Sequence, residues 1–262
     1  MTHPRAAAIF DAEREAMERR PQNDLASWYP LLAATGAPTP RTIIMSAKHD
    51  LESLLDGGPD AAALPFGLLD DHRGFLTRLG AAAEKLGFPC FLRTGHGADK
   101  HSYRRTCRLD GVEDVESHVM ALVEWSACAS LISLPTYTWV VREWLDLDVA
   151  FTAFDGLPIA TEVRAFIGAG SMRCSHHYWP MRVLADQGNV TEPRWRDYLA
   201  KQHRTATAER HRWRPIVDLV AAAFGSWSVD LCRIREGAWF VTDMARAEDS
   251  WHWPKCAMAS RG

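Results

Sequence analysis

The sequence lacks a long apolar run and an apolar leader. No stretch approaches the about 18 consecutive apolar residues that a membrane-spanning helix requires. The first residues, Met1–Arg5, have no apolar core of the kind found in secretory signals. These absences predict a cytoplasmic protein without a membrane partner.

Strong charge of one sign is also absent, as is a recognisable cysteine motif. The 30 Lys and Arg against 33 Asp and Glu give a formal net charge of −3, which argues against a general binder of polyanions. No Cys-x-x-Cys pair occurs, and no run of cysteines and histidines has zinc spacing. We interpret the cysteines as reduced thiols in or near the core. They are Cys90, Cys107, Cys128, Cys174, Cys232 and Cys256.

Neither standard phosphate-binding fingerprint, G-x-x-x-x-G-K-[ST] or G-x-G-x-x-G, is present. Instead, a short apolar segment, Pro89–Arg93, predicts a buried strand that ends on an arginine. Gly95 and Gly97 follow in a turn, and Lys100 and His101 lie beyond it. Glycines let backbone N–H groups approach a phosphate closely, and cationic side chains complete such a site. An ordinary turn with solvated charges is the alternative.

The order of predicted elements indicates an α+β protein. A strand–loop–helix–strand block is followed by an antiparallel block of hairpins and helices, within a length that suits one large domain or two small ones. Strands of the first block are predicted at 41–45, 89–93 and 138–145. We divide the chain into an amino-terminal helical and strand segment (1–65), a first lobe with the glycine loop (66–137) and a second lobe (138–262).

A helical stretch, Thr191–Phe224, follows the hairpins and is predicted to break near Pro215, because proline removes a helix hydrogen bond. Within it, Lys201–Arg214 is locally basic. Such a run is usually a solvated helix face. The alternative is a docking strip for an anionic partner, such as a carrier protein or tRNA; no other nucleic acid is expected to bind.

Two segments place charges in strand patterns. Val140–Asp148 lies between the predicted lobes, where backbone groups can pair with an adenine edge and a carboxylate can hold a ribose. Further along, alternation places Glu162 and Arg164 on one strand face. The structural alternatives are an exposed edge-strand pair of Arg142 and Glu143, and a same-face salt bridge between Glu162 and Arg164.

Two carboxylates fall in neighbouring strands of the last predicted hairpin. Asp230 is flanked by apolar residues, where a carboxylate is costly unless it is paired or bound to a metal. Asp243 lies in a similar context on the next strand. A pair of this kind can share a hard cation such as Mg²⁺, which takes oxygen ligands.

Histidines provide weaker signals. His176 and His177 precede Tyr-Trp-Pro and could orient an acceptor substrate or exchange a proton, although ordinary strand residues are the alternative. His252 is a candidate for the lining of an acceptor pocket. Zinc is not predicted around His96 and His101, because their spacing to other ligands is poor.

Taken together, these segments resemble the ATP-grasp superfamily, in particular its clade with two arginines and a lysine, which includes the Cdc123/D123-like proteins. The resemblance extends from about residue 40 to residue 256. It rests on Phe91–Thr94 with Lys100 and His101, the hinge Trp139–Leu145, the strand Glu162–Phe166, and the pair Asp230 and Asp243. It implies an α+β ATP-grasp fold, in which two lobes with antiparallel sheets sandwich the nucleotide, and ATP and Mg²⁺ as cofactors.

The resemblance also implies which residues contact the phosphates. Arg93 would reach the α- and β-phosphates. Lys100, with His101 beside it, would cover the phosphates from the flexible loop. Arg164 would neutralise the γ-phosphate or the developing acyl phosphate, so that Lys100 and Arg164 are the implied catalytic residues.

The implied nucleoside contacts come from the hinge. Arg142, Glu143 and Trp144 would contribute contacts to adenine, with backbone groups pairing to its edge. Asp148 would hold the ribose.

Metal binding is implied for Asp230 and Asp243, with one departure from the family pattern. Family members often carry Asp-x-Asn or Glu-x-Asn at the last metal strand, whereas this chain has Ala245 in place of the Asn. Glu248, Asp249 or a water would then supply the missing ligand.

The activity implied is that of an ADP-forming carboxylate–amine ligase, or a carboxylate–thiol ligase, that acts through an acyl phosphate. Its substrates would be a small-molecule or peptide carboxylate and an amine acceptor, with a carrier or partner protein as a further participant. Cdc123-like proteins suggest an alternative, an ATP-binding assembly protein without ligase turnover. A kinase on the same scaffold is a third hypothesis.

Overall fold

The computed structural model of the protein describes residues 15, 17–52, 66–129, 133–254 and 256–257. It divides into two compact units. The central unit comprises Pro40–Leu145 and Phe154–Leu157, and the carboxy-terminal unit comprises Met1–Thr39, Asp146–Ala153 and Pro158–Gly262. The helix predicted at the amino terminus lies largely outside the described residues. The predicted lobe boundary at 137/138 falls just before a strand of the central unit, and the two units divide after Leu145.

The central unit is built on an antiparallel sheet of four strands in the order β1-β4-β2-β3. Its strands are β1 (Thr42–Ser46), β2 (Cys90–Thr94), β3 (Arg108–Leu109) and β4 (Thr138–Glu143). The three strands predicted in this region correspond to β1, β2 and β4, whereas β3 was not predicted. Because β4 lies between β1 and β2, Arg142 and Glu143 are on an interior strand, and the edge-strand alternative is wrong.

Two helices, Phe66–Leu86 and Val115–Cys128, supply the apolar side of this unit's core. Alternate residues of the sheet, including Leu92, Trp139 and Val141, are fully buried in it. The indole of Trp139 packs against Phe75 with ring centroids 5.9 Å apart. Complete burial of an aliphatic side chain stabilises a fold by about 1.5–3 kcal/mol, so this layer holds the sheet in place.

The carboxy-terminal unit contains a second antiparallel sheet, in the order β10-β9-β7-β8. Its strands are β7 (Glu162–Gly168), β8 (Ser171–His177), β9 (Trp227–Arg233) and β10 (Trp239–Arg246). A two-stranded hairpin of β5 (Val149–Ala153) and β6 (Leu157–Ala160) precedes it. The described helices of this unit include Leu25–Ala34, Met181–Gln187, Trp195–Ala208 and Arg210–Ala223.

The helical break predicted near Pro215 occurs at Glu209 instead. Pro215 lies inside the helix Arg210–Ala223, which continues through it because Trp213 and Val217 are buried against the sheet. One lost hydrogen bond is offset by that packing, since tertiary contacts provide most of a helix's stability. Within the described residues, no helix is long and apolar enough to cross a bilayer.

Glu209, between the two longest helices of this unit, is bonded to the sheet. Its Oε2 accepts hydrogen bonds from Arg233 Nε (3.0 Å) and Trp239 Nε1 (2.9 Å). Arg233 also donates to Asp148 Oδ2 over 2.9 Å. Burial raises the pKa of Glu209, but the bonds from Arg233 and Trp239 outweigh it, and the net pKa is lowered.

We expect Glu209→Gln to destabilise the fold at pH 7 by about 1–3 kcal/mol, the usual cost of disturbing a charged, partly buried hydrogen bond. A lowered folded-state pKa means that the ionised group stabilises the fold above its unfolded pKa of about 4.3, and that this stability is lost as pH falls through the folded value. The difference in free energy of unfolding between the wild type and Glu209→Gln, measured with urea, should therefore shrink as the pH is lowered.

Asp218→Asn is the matched control, because Asp218 is an exposed helical carboxylate paired with Arg214 at i,i+4. It should change the free energy of unfolding by no more than about 0.5 kcal/mol. Equal effects of the two substitutions would contradict the role given to Glu209.

Candidate functional site

One face of the carboxy-terminal sheet carries a row of polar residues across its four strands. The register sets Asp243 opposite Asp230, Asp230 opposite Arg164, and Arg164 opposite His176. Directly opposed residues of antiparallel strands project to the same face. The predicted metal and catalytic residues of this unit are therefore neighbours, although the sequence separates the ends of the row by 67 residues (243 − 176).

Arg164 and Asp230 form a bidentate ion pair at the centre of this row. Arg164 Nε donates to Asp230 Oδ1 (2.7 Å) and Nη2 donates to Oδ2 (2.8 Å). The side chains are only 19% and 7% exposed. Burial lowers the pKa of Arg164, but the charge and hydrogen bonds of Asp230 raise it by more. Arg164 thus remains a cation, and both partners are held in one geometry.

Other contacts fix the guanidinium of Arg164 from the sides. It lies over the ring of Tyr178, 4.9 Å from the centroid, and Nη1 donates to the Trp251 carbonyl (3.4 Å). Glu162, on the same strand, accepts a hydrogen bond from Trp179 Nε1 (2.8 Å). Arg164 forms its salt bridge with Asp230, whereas the sequence alternative named Glu162 as the partner.

The predicted metal ligands sit in different environments. Both oxygens of Asp230 accept from Arg164, so a cation would have to share or replace that pair. Asp243 is half-buried beside a β-bulge, and its Oδ1 accepts from the Met244 amide (3.0 Å). Metal binding by these residues stays a prediction.

The proposed substitutes for the missing Asn are both in ion pairs. Glu248 contacts Arg246 Nη2 (2.9 Å). Asp249 contacts Arg19 Nη2 (2.7 Å) and accepts from Asn23 Nδ2 (2.7 Å). Of the two, Glu248 is more exposed, with 39% of its side chain accessible against 17% for Asp249, and so is easier to recruit to a cation.

In the central unit, Arg93 and Arg142 lie on the sheet face opposite the helices. Arg93 is paired in register with Val140, and Arg142 with Phe91, so the two arginines are diagonal neighbours on β2 and β4. Both are buried, at 5% and 4% exposure. Arg93 Nε donates to the Thr94 carbonyl (3.0 Å), and Arg142 Nε donates to Thr42 Oγ1 (3.3 Å). Diagonal neighbours are about 7–8 Å apart, a spacing at which two guanidinium forks can bind one polyphosphate.

The backbone amides of Gly95 and Gly97 are bonded within the protein, whereas the sequence predicted that this loop approaches a phosphate. The Gly95 amide donates to the Thr138 carbonyl (2.8 Å), and the Gly97 amide donates to Thr94 Oγ1 (3.2 Å), so both amides are engaged within the protein. A Cβ on Gly97 would lie 2.7 Å from the Trp125 ring. Glycine at position 97 is therefore required by close packing.

Lys100 and His101 lie on a short 3₁₀ turn, Lys100–Ser102, rather than on a loose loop. Asp99 caps this turn and accepts from the His101 amide (3.2 Å). The His101 ring stacks on Phe154, with centroids 4.4 Å apart and planes 7° from parallel. These contacts give Lys100 a defined position.

The predicted hinge residues each make contacts within the unit to which they belong. Glu143 accepts from the Arg41 amide (2.7 Å) and forms an ion pair with Arg41 Nε (2.5 Å). Trp144 lies under the guanidinium of Arg108, 4.9 Å from the ring centroid. Asp148 accepts from Arg233 and, over 3.2 Å, from Thr161 Oγ1. Adenine and ribose contacts remain predictions.

A cavity of about 250 Å³ lies on the helix side of the carboxy-terminal sheet. His177 lines it and stacks on His203, with centroids 3.9 Å apart. Burial lowers the pKa of His177 to about 4, so the ring is neutral near pH 7. Arg210 of the basic run also lines the cavity and places one cationic side chain there.

The structure brings together four potential ligands that were not predicted from the sequence. One ligand atom each from Cys174, His176, His252 and Cys256 lies within 4.8 Å of the others. The available signal was a Cys-x-His pair and a distant His-x-x-x-Cys pair, separated by 75 residues (177–251). Neither pair alone has standard zinc spacing, and only the fold brings them together.

No family model and no curated protein matches this sequence. Several solved structures are similar to this chain. Cdc123 from Schizosaccharomyces pombe matches with a TM-score of 0.51 and 11% identity, over 87% of this chain and 85% of that chain. N5-carboxyaminoimidazole synthase from Aspergillus clavatus, in complex with ADP, has a TM-score of 0.44 and 10% identity, over 88% and 45%. D-alanine–D-alanine ligase from Bacillus anthracis, complexed with ATP, has a TM-score of 0.40 and 14% identity, over 86% and 55%.

The chain has an α+β fold with antiparallel sheets, which confirms the predicted fold class. This fold is similar to that of Cdc123, which agrees with the resemblance identified from the sequence.

We expect removal of either member of the Arg164–Asp230 pair to be strongly destabilising. Arg164→Met or Asp230→Asn should each cost about 3–5 kcal/mol, because the partner is left buried without its counter-charge. The double variant should cost less than the sum of the two. Urea unfolding of all four proteins at pH 7 measures this coupling.

The exposed pair Arg235 and Asp146, with side chains 68% and 70% accessible, is the matched control. In the corresponding set of single and double variants, the coupling energy of this pair should stay below about 1 kcal/mol. Additive effects at Arg164 and Asp230 would contradict the central place given to their ion pair.

We expect Gly97→Ala to destabilise the central unit by about 1–3 kcal/mol, since the new methyl group overlaps the Trp125 ring. Trp125→Phe should recover part of this loss in the double variant by removing the atoms in contact. Gly225→Ala is the control, because a Cβ there meets nothing within 4 Å. Chemical unfolding that shows equal effects at positions 97 and 225 would refute the packing explanation.

Proposed function

We propose that the protein is an ATP- and Mg²⁺-dependent ligase that joins a carboxylate to an amine through an acyl phosphate. The observation that carries this proposal is the ATP-grasp fold with two buried arginines, Arg93 and Arg142, adjacent on one sheet face. Guanidinium groups match phosphate oxygens in geometry and charge, and burial strengthens that interaction.

In this proposal, the central unit binds the nucleotide. Arg93 and Arg142 contact phosphate oxygens, and Lys100 on its capped 3₁₀ turn adds a third cation. The backbone around Glu143 and Trp144 would pair with adenine, and Asp148 would hold the ribose. Positioning and charge neutralisation supply most of the rate enhancement in phosphoryl transfer.

The charged row of the carboxy-terminal unit supplies the metal site and the catalytic cation. Asp243 and Glu248 would hold Mg²⁺, since hard cations prefer oxygen donors, and Asp230 would be a further ligand if it shared its pair with Arg164. The guanidinium of Arg164 would stabilise the negative charge of an acyl phosphate.

The second candidate function is that of an ATP-binding assembly protein without ligase turnover. The observation that favours it is the likeness to Cdc123, which extends over most of both chains. On this hypothesis, the basic run Lys201–Arg214 or another surface engages an anionic partner, and ATP acts as a ligand rather than as a substrate. A kinase remains the third hypothesis.

We expect Mg²⁺–ATP to bind the wild type in calorimetry, and Lys100→Ala to weaken the affinity about tenfold or more. Loss of one charged contact to phosphate costs about 1.5–3 kcal/mol, which corresponds to that factor. Asp243→Asn should weaken binding only when Mg²⁺ is present. Lys85→Ala and Asp218→Asn, at exposed helical positions, serve as controls and should bind as the wild type does. Absence of ATP binding by the wild type would remove the proposal.

Product analysis separates the three hypotheses once binding is established. A ligase releases ADP and inorganic phosphate only when carboxylate and amine are both supplied. A kinase produces ADP without free phosphate. An assembly protein binds ATP and produces little ADP under either condition.

A further inference from the structure

We propose that Cys174, His176, His252 and Cys256 bind a structural zinc ion that ties the carboxy-terminal segment to the sheet. One ligand atom from each of the four side chains lies within 4.8 Å of the others. Cys174 Sγ and His252 Nε2 are 3.1 Å apart. Four convergent sulfur and nitrogen atoms form a closed ligand set, which is the composition of structural zinc sites.

The spacing suits a tetrahedral ion. Zinc lies about 2.3 Å from sulfur and about 2.0–2.1 Å from nitrogen, so tetrahedral ligand atoms are roughly 3.3–3.8 Å from one another. Side-chain shifts of about 1 Å would bring the four atoms to this distance. Two thiolates and two imidazoles favour zinc over Mg²⁺ or Ca²⁺, which take oxygen ligands.

The backbone places the ligands from two separate elements. Cys174 and His176 are alternate residues of β8 and so project to one face of the strand. His252 and Cys256 come from the segment that follows β10. This segment is already bound to the sheet, since Trp253 Nε1 donates to the His177 carbonyl over 3.2 Å.

The surroundings of the cluster are apolar and ordered. The His252 ring meets Phe166 edge-on, with centroids 4.2 Å apart, and His176 stacks on Trp253 at 6.1 Å. His176 Nε2 is buried and has no hydrogen-bond partner among the described residues. A buried imidazole nitrogen without a partner is costly, and coordination to a metal would satisfy it.

The ion would have a consequence for the charged row. Between the strand and the ligand His252 lies Trp251, whose carbonyl accepts from Arg164. His176 is also the residue directly opposite Arg164. Zinc would therefore fix the segment that orients Arg164, which makes the four ligands positioning residues and not catalytic ones.

The first test is the metal content of the reduced, untagged full-length protein by mass spectrometry. We expect about one zinc per chain in the wild type, and less than about 0.1 in Cys174→Ser and Cys256→Ser. Cys128→Ser and His211→Gln are matched controls at exposed positions outside the cluster, and both should retain the zinc. A cysteine variant that keeps a full equivalent of zinc would overturn the proposal.

The second test uses the wild type, so it does not depend on the folding of any variant. Zinc is removed with a mercurial thiol reagent and a chelator, the thiols are restored by reduction, and the protein is titrated with Co²⁺. Coordination by thiolates should give charge-transfer absorption in the near ultraviolet and tetrahedral bands in the visible. Hydrogen exchange of residues 250–257 should slow when the metal returns. A wild type that contains no zinc and shows no Co²⁺ spectrum refutes the site, as does a Cys174–Cys256 disulfide in the purified protein.

Discussion

The ion pair between Arg164 and Asp230 is the interaction on which the open face of the carboxy-terminal sheet depends. Two charges this deeply buried are tolerated only in a bidentate geometry, because the cost of desolvation must be offset by direct contact. A slip of one residue between β7 and β9 would turn each side chain to the opposite face. The pair thus fixes the register that places Asp243 on one side of the row and His176 on the other.

The two units contribute different chemistry to the proposed function. The central unit offers cations, with two buried arginines on one sheet face and a lysine held by a capped turn. The carboxy-terminal unit offers the carboxylates proposed to bind a cation, with an arginine already charged and oriented among them. Phosphate transfer requires both kinds of group and little else from the protein, since the chemistry lies in the nucleotide and its metal.

Several features could be predicted because they depend on local pattern. The apolar segment 89–93 and the β-branched and aromatic residues of 138–145 predicted the strands found at Cys90–Thr94 and Thr138–Glu143, and the order of elements predicted the α+β fold. Other predictions were wrong or incomplete because they depend on contacts between residues that are far apart in the sequence. Pro215 does not end its helix, since buried neighbours stabilise it, and Gly97 is required by a tryptophan 28 positions later (125 − 97). The cluster of Cys174, His176, His252 and Cys256 was not predicted, because its two pairs of residues are far apart in the sequence.

The sequence by itself determined the strands, the general fold and the residue types available for phosphate and metal binding, since these follow from periodicity and from motifs of a few residues. Only the tertiary structure determined which charged side chains form ion pairs with one another. It paired Arg164 with Asp230 rather than with Glu162, tied Glu143 to Arg41, and gathered two cysteines and two histidines at one point. The physical reason is that the energy of a buried charge depends on the partner within about 4 Å, and sequence separation carries no information about that distance.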